Sequence, residues 1–328
     1  MSETQDISVS AALRETLAQI LREHPEAFLI GEDIGVYGGA FKITRDFVSE
    51  FGESRVVDTP ISENGIVSVA AGAALLGSRP IVEIMFMDFL MLAMDGVVNV
   101  LSKWQEVYGD DFAMPVIIRC PAGAGRSYGP THSQSFEGML LNVPGLQIIC
   151  PSNPADAAGL LLGAFDSRRP TVIVEHKALY ARKGPVALPI TPQPIGQARI
   201  VRPGSSLTLI AYGRHVGHAL AAAQALEAEG IDAEVIDLRS LKPLDTATIV
   251  ESIQRTGRGL CVEESPVIGG VGSEISAVVM EQCFDYLEAP FARLGAAEAA
   301  IPCSPALETA NFPAPDTIAA KARELAAY

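Results

Sequence analysis

Two short stretches of this chain carry side chains suited to acid–base chemistry. The first is Asp58–Glu63, in which the carboxyl group of Glu63 stands at the start of a predicted helix. The second is Thr131–Ser135, in which His132 is flanked by hydroxyl and amide side chains within a glycine-rich loop. A carboxyl group in a dry site favours a neutral, proton-sharing state, and histidines titrate near neutral pH. We predict that both stretches face one cofactor.

Both residues also have simpler explanations. Glu63 could do no more than complement the positive end of a helix, an interaction worth under about 1 kcal/mol. A single histidine is more often a structural residue than a functional one. His132, however, lies in a Gly/Ser/Thr loop and not on an apolar stripe, and loops commonly carry functional residues.

The elements that must position these side chains alternate between short apolar strands and longer helices. Predicted strands cover 27–31, 55–58, 80–87, 115–120, 147–150, 171–175, 207–212, 233–237, 259–263 and 291–294. Predicted helices cover 8–23, 66–76, 90–108, 155–166, 216–229, 246–256 and 272–283, with a last helix from 316. Ser62 is predicted to cap the helix that follows it. This alternation predicts an α/β fold with mainly parallel sheets and helices on both faces.

The chain is long enough for two domains. Its 328 residues exceed what one hydrophobic core usually serves. The segment Ala187–Gln197 contains three prolines and no hydrophobic period, so we place a linker there. The predicted domains are residues 1–186 and 198–328.

The composition argues against some partners and favours others. The chain has 24 basic and 39 acidic residues, a net charge of −15, and no Lys/Arg cluster, which argues against nucleic acid. Hydrophobic residues make up 48% of the chain, so large subunit interfaces are expected. The most apolar region, 81–101, carries Glu83, Asp88 and Asp95 and therefore does not predict a membrane span.

The cysteines and the N-terminus bear on location. None of the five cysteines has a close neighbour in the sequence, which predicts free thiols in a reducing compartment. The first ten residues show no basic start followed by an apolar run, so no signal peptide is predicted. We therefore expect a cytoplasmic protein.

The glycine-rich stretches do not form a dinucleotide-binding fingerprint. A third glycine is missing after Gly123–Gly125, where Tyr128 stands, and after Gly270–Gly272, where Ile275 stands. A nucleotide-binding protein therefore fits the predicted fold but not the motifs.

Eight short segments, in this order and spacing, resemble the beta subunit of thiamine-diphosphate-dependent 2-oxoacid dehydrogenases. These enzymes are the decarboxylating components of the pyruvate, branched-chain 2-oxoacid and acetoin complexes. The segments are Gly31–Asp33, Asp58–Glu63, Phe86–Phe89, His132–Ser135, Val143–Gly145, Glu175–Lys177, Asp237–Arg239 and Gly269–Gly270. The resemblance covers essentially the whole chain. It implies an N-terminal thiamine pyrimidine-binding domain and a C-terminal transketolase-like domain.

The resemblance implies that four residues hold the pyrimidine end of thiamine diphosphate. Glu63 matches the family carboxylate that hydrogen-bonds the aminopyrimidine ring nitrogen and favours the imino form, which takes the proton from the thiazolium carbon. Phe89 matches the aromatic side chain that packs on the pyrimidine ring. Ile61 and Met85 match its apolar neighbours, although ordinary core packing is a competing explanation for both.

His132 matches the family histidine at the place where the substrate and the lipoyl group meet. In the same loop, Arg126 and Tyr128 are predicted to line the substrate pocket, with Arg126 as a contact for a carboxylate. The loop 125–129 lacks the Ala-Ala-Gln that precedes the histidine in many pyruvate enzymes, which points slightly away from pyruvate. The substrate, a 2-oxoacid or acetoin, stays open at this stage.

The resemblance implies an alpha subunit because one motif is missing. Enzymes of this group bind diphosphate through Mg²⁺ on a Gly-Asp-Gly stretch followed later by an asparagine, and Gly109–Asp111 does not match it. By resemblance, an alpha subunit holds the diphosphate and Mg²⁺ in a heterotetramer of two alpha and two beta chains. The C-terminal domain then docks on a lipoyl acyltransferase core.

One loop departs from the family pattern. Where the family often has Asp-x-Asn-Pro in a potassium-binding loop, this chain has Ser167–Pro170 with two arginines. The departure puts potassium binding in doubt, and we hypothesise that the guanidinium group of Arg169 replaces the ion. The alternative is that Arg168 and Arg169 simply face water.

Two other functions remain open. One is a non-catalytic scaffold that positions an active alpha subunit, and the other is a transketolase-like half-subunit acting on sugars. A scaffold needs neither Glu63 nor His132. The segments Phe86–Phe89 and His132–Ser135 favour the dehydrogenase over the sugar enzyme.

Overall fold

The chain forms two compact units. The computed structural model describes residues 3–109 and 111–328, so Asp110 lies outside the described residues. The first unit contains the described residues up to Ala122 and Asn142–Ile195, and the second contains Gly123–Leu141 and Gly196–Tyr328. Segment 123–141, which precedes the predicted linker and so falls in the predicted first domain, is part of the second unit.

Strands and helices alternate throughout, and the predicted α/β fold class is confirmed. The strands are β1 (Glu3–Ser8), β2 (Ala27–Glu32), β3 (Val56–Thr59), β4 (Arg79–Glu83), β5 (Ile117–Ala122), β6 (Gln147–Ile149), β7 (Thr171–His176), β8 (Lys183–Leu188), β9 (Arg199–Arg202), β10 (Leu207–Ala211), β11 (Ala233–Asp237), β12 (Ser240–Lys242), β13 (Gly259–Pro266) and β14 (Ala292–Ala296). The α-helices are α1 (Val9–Glu23), α2 (Phe47–Phe51), α3 (Glu63–Leu75), α4 (Met87–Leu90), α5 (Ser102–Tyr108), α6 (Glu137–Leu141), α7 (Pro154–Asp166), α8 (His215–Glu227), α9 (Thr246–Thr256), α10 (Val271–Cys283), α11 (Pro305–Ala310) and α12 (Pro315–Ala326). Short 3₁₀ turns cover Met91–Ala93, Lys177–Leu179 and Phe284–Tyr286, and a π-helix covers Gly96–Leu101.

A parallel sheet organises the first unit. Six of its strands lie in the order β6–β7–β5–β4–β2–β3, and each pairs in parallel with its neighbours. Helices α1 and α7 pack together over a core that includes Leu17, Leu161 and Ile173. Because parallel strands end at the same edge of a sheet, the loops after β2, β3 and β4 meet at that edge.

Local side-chain chemistry explains where these two helices begin. The Ser8 hydroxyl accepts the backbone N–H of Ala11 at 3.2 Å and so caps α1. The Asn153 side chain accepts the N–H of Asp156 at 2.9 Å, and Pro154 occupies the first turn of α7. Such caps satisfy N–H groups that the helix itself leaves unpaired.

The predicted strand 80–87 and helix 90–108 both differ from the structure. β4 ends at Glu83, and the chain then passes through α4, a 3₁₀ turn, the π-helix and α5. The break in the helix results from tertiary packing, which the hydrophobic periodicity of the sequence does not predict. A Cβ atom at Gly96 would lie 2.8 Å from Val67 Cγ1, so the start of the π-helix lies directly against α3.

A buried ion-pair network joins three strands of this sheet. Arg119 on β5 donates two hydrogen bonds to Glu175 on β7, at 2.7 and 2.9 Å, and one to Glu83 on β4, at 2.7 Å. The Tyr180 hydroxyl donates to Glu175 at 2.7 Å. Burial raises the pKa of Glu83, while the nearby Arg119 opposes that rise. The guanidinium group is therefore the compensating charge for two buried carboxylates.

We predict that Arg119→Met lowers the free energy of unfolding by about 3–5 kcal/mol, because it leaves two carboxylates buried without their cation. The matched control is Arg22→Met, which removes an exposed pair with Glu50 and should cost at most about 1 kcal/mol. Urea denaturation monitored by circular dichroism measures both losses. Equal losses in the two variants would contradict the importance of the buried network.

A second sheet organises the second unit. Its strand order is β14–β13–β10–β11–β9, with β9 antiparallel to β11 and the other pairs parallel. Helices α8 and α12 pack together over a core that includes Leu209 and Val235, and α9 contacts α10. Among the described residues of the whole chain, no helix combines the length and apolar character needed to cross a bilayer.

Helix α6 places a carboxyl group inside this unit. Glu137 is 1% exposed, and burial, together with the nearby carboxyl groups of Glu264 and Glu263, raises the pKa of Glu137 to about 8. Burial likewise raises the pKa of Glu263 to about 7. At neutral pH, Glu137 therefore retains a proton in the folded chain that it loses in the unfolded chain.

We predict that Glu137→Gln flattens the dependence of stability on pH. The folded-state pKa of Glu137 lies above its unfolded value, so its contribution to stability falls as pH rises from about 5 to about 8. The variant should gain more than about 1.4 kcal/mol between these two pH values, relative to the natural chain. Denaturant melts across this range measure the effect, with Glu281→Gln on the exposed side of α10 as the control. An unchanged profile would show that Glu137 is ionised in the folded chain.

Candidate active site

Glu63 is a buried carboxyl group at the N-terminus of α3. It is the first residue of the helix and is 6% exposed. Ser62 occupies the predicted N-cap position of α3, but its side chain does not cap the helix: its hydroxyl donates to the Pro60 carbonyl at 3.0 Å and accepts no helix N–H. The backbone N–H of Ser62 instead donates to Glu32 Oε1 at 3.2 Å, which holds the start of α3 against the end of β2.

The carboxyl group of Glu32 lies near enough to Glu63 to be affected by its charge. Glu32 is 7% exposed, and burial first, then the charge of Glu63, raises its pKa, while the bond from Ser62 opposes the rise. A carboxyl group whose pKa is raised holds a proton more readily, and the buried Glu63 carboxyl group is placed where it could share a proton with a basic ring nitrogen. Sequence reasoning missed Glu32 as a site residue, although Gly31–Asp33 was one of the segments that carried the family resemblance.

Apolar side chains stand at the same edge of the sheet. Ile61, in the loop after β3, is 82% exposed, so core packing is wrong as an explanation for that residue. Met85 and Phe89 follow β4 and are half-buried. The Phe89 ring stands edge-on to Phe86, with ring centroids 5.9 Å apart and planes at 86°. This edge therefore offers both carboxyl groups and apolar walls.

A glycine-rich loop in the second unit carries the remaining predicted residues. Arg126 and Tyr128 are exposed, and His132 is half-buried with its Nδ1 3.0 Å from the Thr131 hydroxyl oxygen. The loop closes on itself where the Gly123 N–H donates to the Gln134 carbonyl at 3.3 Å. The predicted site residues thus form two groups, one in each unit: Ile61, Glu63, Met85 and Phe89; and Arg126, Tyr128 and His132.

A cavity of about 330 Å³ within the second unit adjoins this loop. The buried hydroxyl groups of Ser133 and Ser265 line it, and neither has a hydrogen-bond partner among the described residues. Glu264 also lines the cavity, and its carboxylate accepts the Ala124 N–H at 2.9 Å and lies 2.7 Å from His215 Nε2. Sequence reasoning missed Glu264 and Ser265, for which the nearby segment Gly269–Gly270 was the sole signal.

The loop proposed to depart from a potassium site contains two exposed arginines. Arg168 and Arg169 both have exposed side chains, which favours the alternative that they face solvent over replacement of an ion by Arg169. The Arg169 N–H donates to the Ser167 hydroxyl at 3.2 Å. Within residues 3–109 and 111–328, no group of three or more His, Cys, Asp and Glu side chains is arranged to hold a metal ion.

Two domain families match the chain. Residues 5–183 match the transketolase pyrimidine-binding domain, and residues 196–318 match the transketolase C-terminal domain. Glu63, Glu32 and Phe89 all lie in the first of these ranges. A solved structure titled "Split gene transketolase, inactive beta4 tetramer" superposes with a TM-score of 0.76 at 25% sequence identity, covering 98% of this chain and 99% of that one.

Curated proteins show a closer similarity. The mitochondrial pyruvate dehydrogenase E1 component subunit beta-2 of Oryza sativa is 39% identical over 97% of this chain and 86% of its own length. The acetoin:2,6-dichlorophenolindophenol oxidoreductase subunit beta of Bacillus subtilis is also 39% identical, over 97% of both chains. The similarity therefore spans bacterial and organellar proteins and covers nearly the whole sequence. The chain belongs to the family of thiamine-diphosphate-dependent oxidoreductase beta subunits that includes those of pyruvate dehydrogenase E1 and acetoin oxidoreductase.

Proposed function

We propose that this chain, together with an alpha subunit, decarboxylates a 2-oxoacid or cleaves acetoin, and transfers the acyl group to a lipoyl domain. The observation that carries the proposal is the buried carboxyl group of Glu63 at the carboxyl edge of the sheet, beside Glu32, in a pyrimidine-binding domain. A cytoplasmic location stays a prediction.

The edge of the first unit fits the pyrimidine end of thiamine diphosphate. Glu63 would share a proton with the ring nitrogen, and the pKa of the neighbouring Glu32 is raised by burial and by the charge of Glu63. Phe89, Met85 and Ile61 would contact the faces of the ring, which accounts for an isoleucine that is 82% exposed. Thiamine diphosphate supplies, when bound, a carbanion stabilised by its own ring system.

The outer face of α3 supports an alpha subunit as the partner. Val69 on α3 is 58% exposed, and Leu76, directly after the helix, is 89% exposed. Gly65 and Gly72 also lie exposed on α3. Contiguous exposed apolar surface marks a protein interface, and small residues allow another backbone to approach closely. We assign this face to the alpha subunit, which would hold the diphosphate and Mg²⁺ in a heterotetramer of two alpha and two beta chains.

The loop of the second unit would meet the substrate. His132 is suited to acid–base work or contact with a carboxylate, and the exposed Arg126 and Tyr128 would contact the substrate from the same loop. The second unit would dock on a lipoyl acyltransferase core, an assignment that rests on family analogy alone.

A transketolase-like half-subunit is the second candidate. The superposed split-gene transketolase favours it, but at 25% identity against 39% for the dehydrogenase and oxidoreductase subunits. Co-expression with the neighbouring alpha-type subunit separates the candidates. Dye reduction would be assayed with thiamine diphosphate, Mg²⁺ and a panel of pyruvate, branched-chain 2-oxoacids, 2-oxoglutarate and acetoin. Sugar phosphates are assayed in parallel with the same preparation. Turnover on one of the 2-oxoacids or on acetoin supports the proposal; turnover confined to sugar phosphates would replace it with the second candidate.

We predict that Glu63→Gln in the assembled enzyme lowers turnover by about 10²–10⁴-fold, because the variant cannot share a proton with the ring nitrogen. Glu53→Gln, an exposed change in the same unit, is the control and should leave turnover unchanged. Steady-state dye reduction measures both. A Glu63→Gln enzyme with the natural rate would limit Glu63 to a structural role and favour a scaffold subunit.

We predict that Phe89→Ala weakens cofactor binding more than it slows turnover at saturation. An aromatic stack contributes about 0.5–1.5 kcal/mol beyond burial, equivalent to a loss of affinity of about twofold to tenfold. Calorimetric titration of the assembled enzyme with thiamine diphosphate measures the change, with Phe284→Ala in the second unit as the control. A lower rate at saturating cofactor with unaltered affinity would place Phe89 elsewhere in the reaction.

A further inference from the structure

The loop that carries His132 has an unusual backbone. Gly123, Gly125, Ser127 and Gly129 have φ angles of +79°, +95°, +57° and +79°, so every second residue lies in the left-handed region. Backbones that alternate in this way turn successive N–H groups toward one side and form a concavity that binds anions. This concavity, formed by residues 123–129, is referred to below as the nest.

The anion in the nest is a side chain of the protein itself. Glu308, on α11, is 4% exposed. Its Oε1 accepts the Gly125 N–H at 3.0 Å and the Ser127 N–H at 3.1 Å. Its Oε2 accepts the Ser127 N–H at 3.0 Å and the Ser127 hydroxyl at 3.1 Å. One carboxylate therefore holds two backbone groups and one side chain of the loop through charge-assisted bonds.

The most strained residue of the loop is also the one that Glu308 holds most closely. Ser127 is not a glycine, and a positive φ angle is unfavourable for a residue with a Cβ atom. The bonds to Glu308 offset that strain. Arg126 lies between the two anchored residues, and Tyr128 follows directly.

The neighbours of the nest are fixed by separate contacts. The N–H of Ala124 donates to Glu264, and a Cβ atom at Gly129 would lie 2.5 Å from Cys303 Sγ. These contacts hold the two ends of the loop, and the bonds to Glu308 hold its middle.

We propose that Glu308 is a positioning residue that presents Arg126 and Tyr128 by serving as the anion of the nest. The effect on turnover rests on the proposed function, whereas the effect on the loop does not. If Glu308 acted only through ordinary buried hydrogen bonds, no small molecule in solution would restore them after its side chain is removed. An emptied nest should instead accept a small carboxylate from solution, and this difference makes the proposal testable.

The first experiment measures how accessible the loop is to protease, without measuring turnover. It uses the full chain co-purified with its alpha-type partner. Trypsin cleavage after Arg126 is followed by mass spectrometry, and cleavage after the exposed Arg45 in the first unit reports general loosening. In Glu308→Ala we expect cleavage after Arg126 to accelerate about tenfold or more while cleavage after Arg45 is unchanged. Sodium formate at tens of millimolar should restore slow cleavage, and sodium perchlorate at the same ionic strength should not.

Two further variants test whether the rescue by formate is specific to an emptied nest. Glu308→Gln keeps the side chain in the nest but turns an amide toward the loop N–H groups, so formate should not rescue it. Glu281→Ala, an exposed change on α10, should leave cleavage after Arg126 unchanged. Rescue of both Glu308 variants by formate, rescue of neither, or unaltered cleavage in Glu308→Ala would each overturn the proposal.

The second experiment measures turnover by the assembled enzyme on its identified substrate. We expect Glu308→Ala to raise KM about tenfold with a smaller change in kcat, and formate to reverse the rise. A Glu308→Ala enzyme with natural KM would overturn the positioning role even if the loop is loosened. An absence of turnover in the natural enzyme would instead contradict the proposed function, and the proteolysis result would still decide whether Glu308 holds the loop.

Discussion

Two carboxyl groups, Glu32 and Glu63, are buried near each other at the edge of the sheet in the first unit, and their burial must be compensated there. Glu32 ends β2 and Glu63 begins α3, so the sheet and the helix after β3 meet at these two side chains. Burial of such groups costs free energy unless protons, backbone N–H groups or a ligand compensate. The N–H of Ser62 provides one compensation, and burial raises the pKa of Glu32, which favours the neutral form of that carboxyl group.

The chain compensates buried acids in three physically distinct ways. Arg119 neutralises Glu83 and Glu175 by direct ion pairing, which suits a purely structural position. The N–H groups of Gly125 and Ser127 bind Glu308, which ties a glycine-rich loop to a helix without introducing a second charge. Glu137 avoids a buried charge by remaining protonated at neutral pH, since its pKa is raised to about 8. Ion pairs hold neighbouring strands in a fixed geometry, and bonds to backbone N–H groups hold a loop in a particular conformation. Protonation, in contrast, depends on pH.

The sequence predicted the fold class and the family, because both depend on local pattern and on short motifs in a fixed order. Helices α1 and α7 begin where Ser8 and Asn153 supply caps, which are visible in the sequence. The break in the predicted helix 90–108 was not predictable, since it depends on contact between Gly96 and Val67.

The same limit applies to the candidate site. Glu63, Ile61 and Phe89 were singled out by motif, and their assigned roles stay predictions. Glu32 and Glu308 were missed because their importance arises from neighbours that are distant in sequence: Ser62 lies 30 residues from Glu32, and Ser127 lies 181 residues from Glu308. Periodicity and local spacing carry no information about such pairs.

The exposed apolar face of α3 affects how stable the chain is in a cell when no partner subunit is bound. A protein whose folded form is completed by another subunit gains stability by mass action, so its apparent stability depends on how much of that subunit is present. Chains made in excess would keep Val69 and Leu76 in water and would be the ones that proteases and chaperones encounter. Under the proposed assignment of this face to an alpha subunit, matched synthesis of the two subunits would keep Val69 and Leu76 covered.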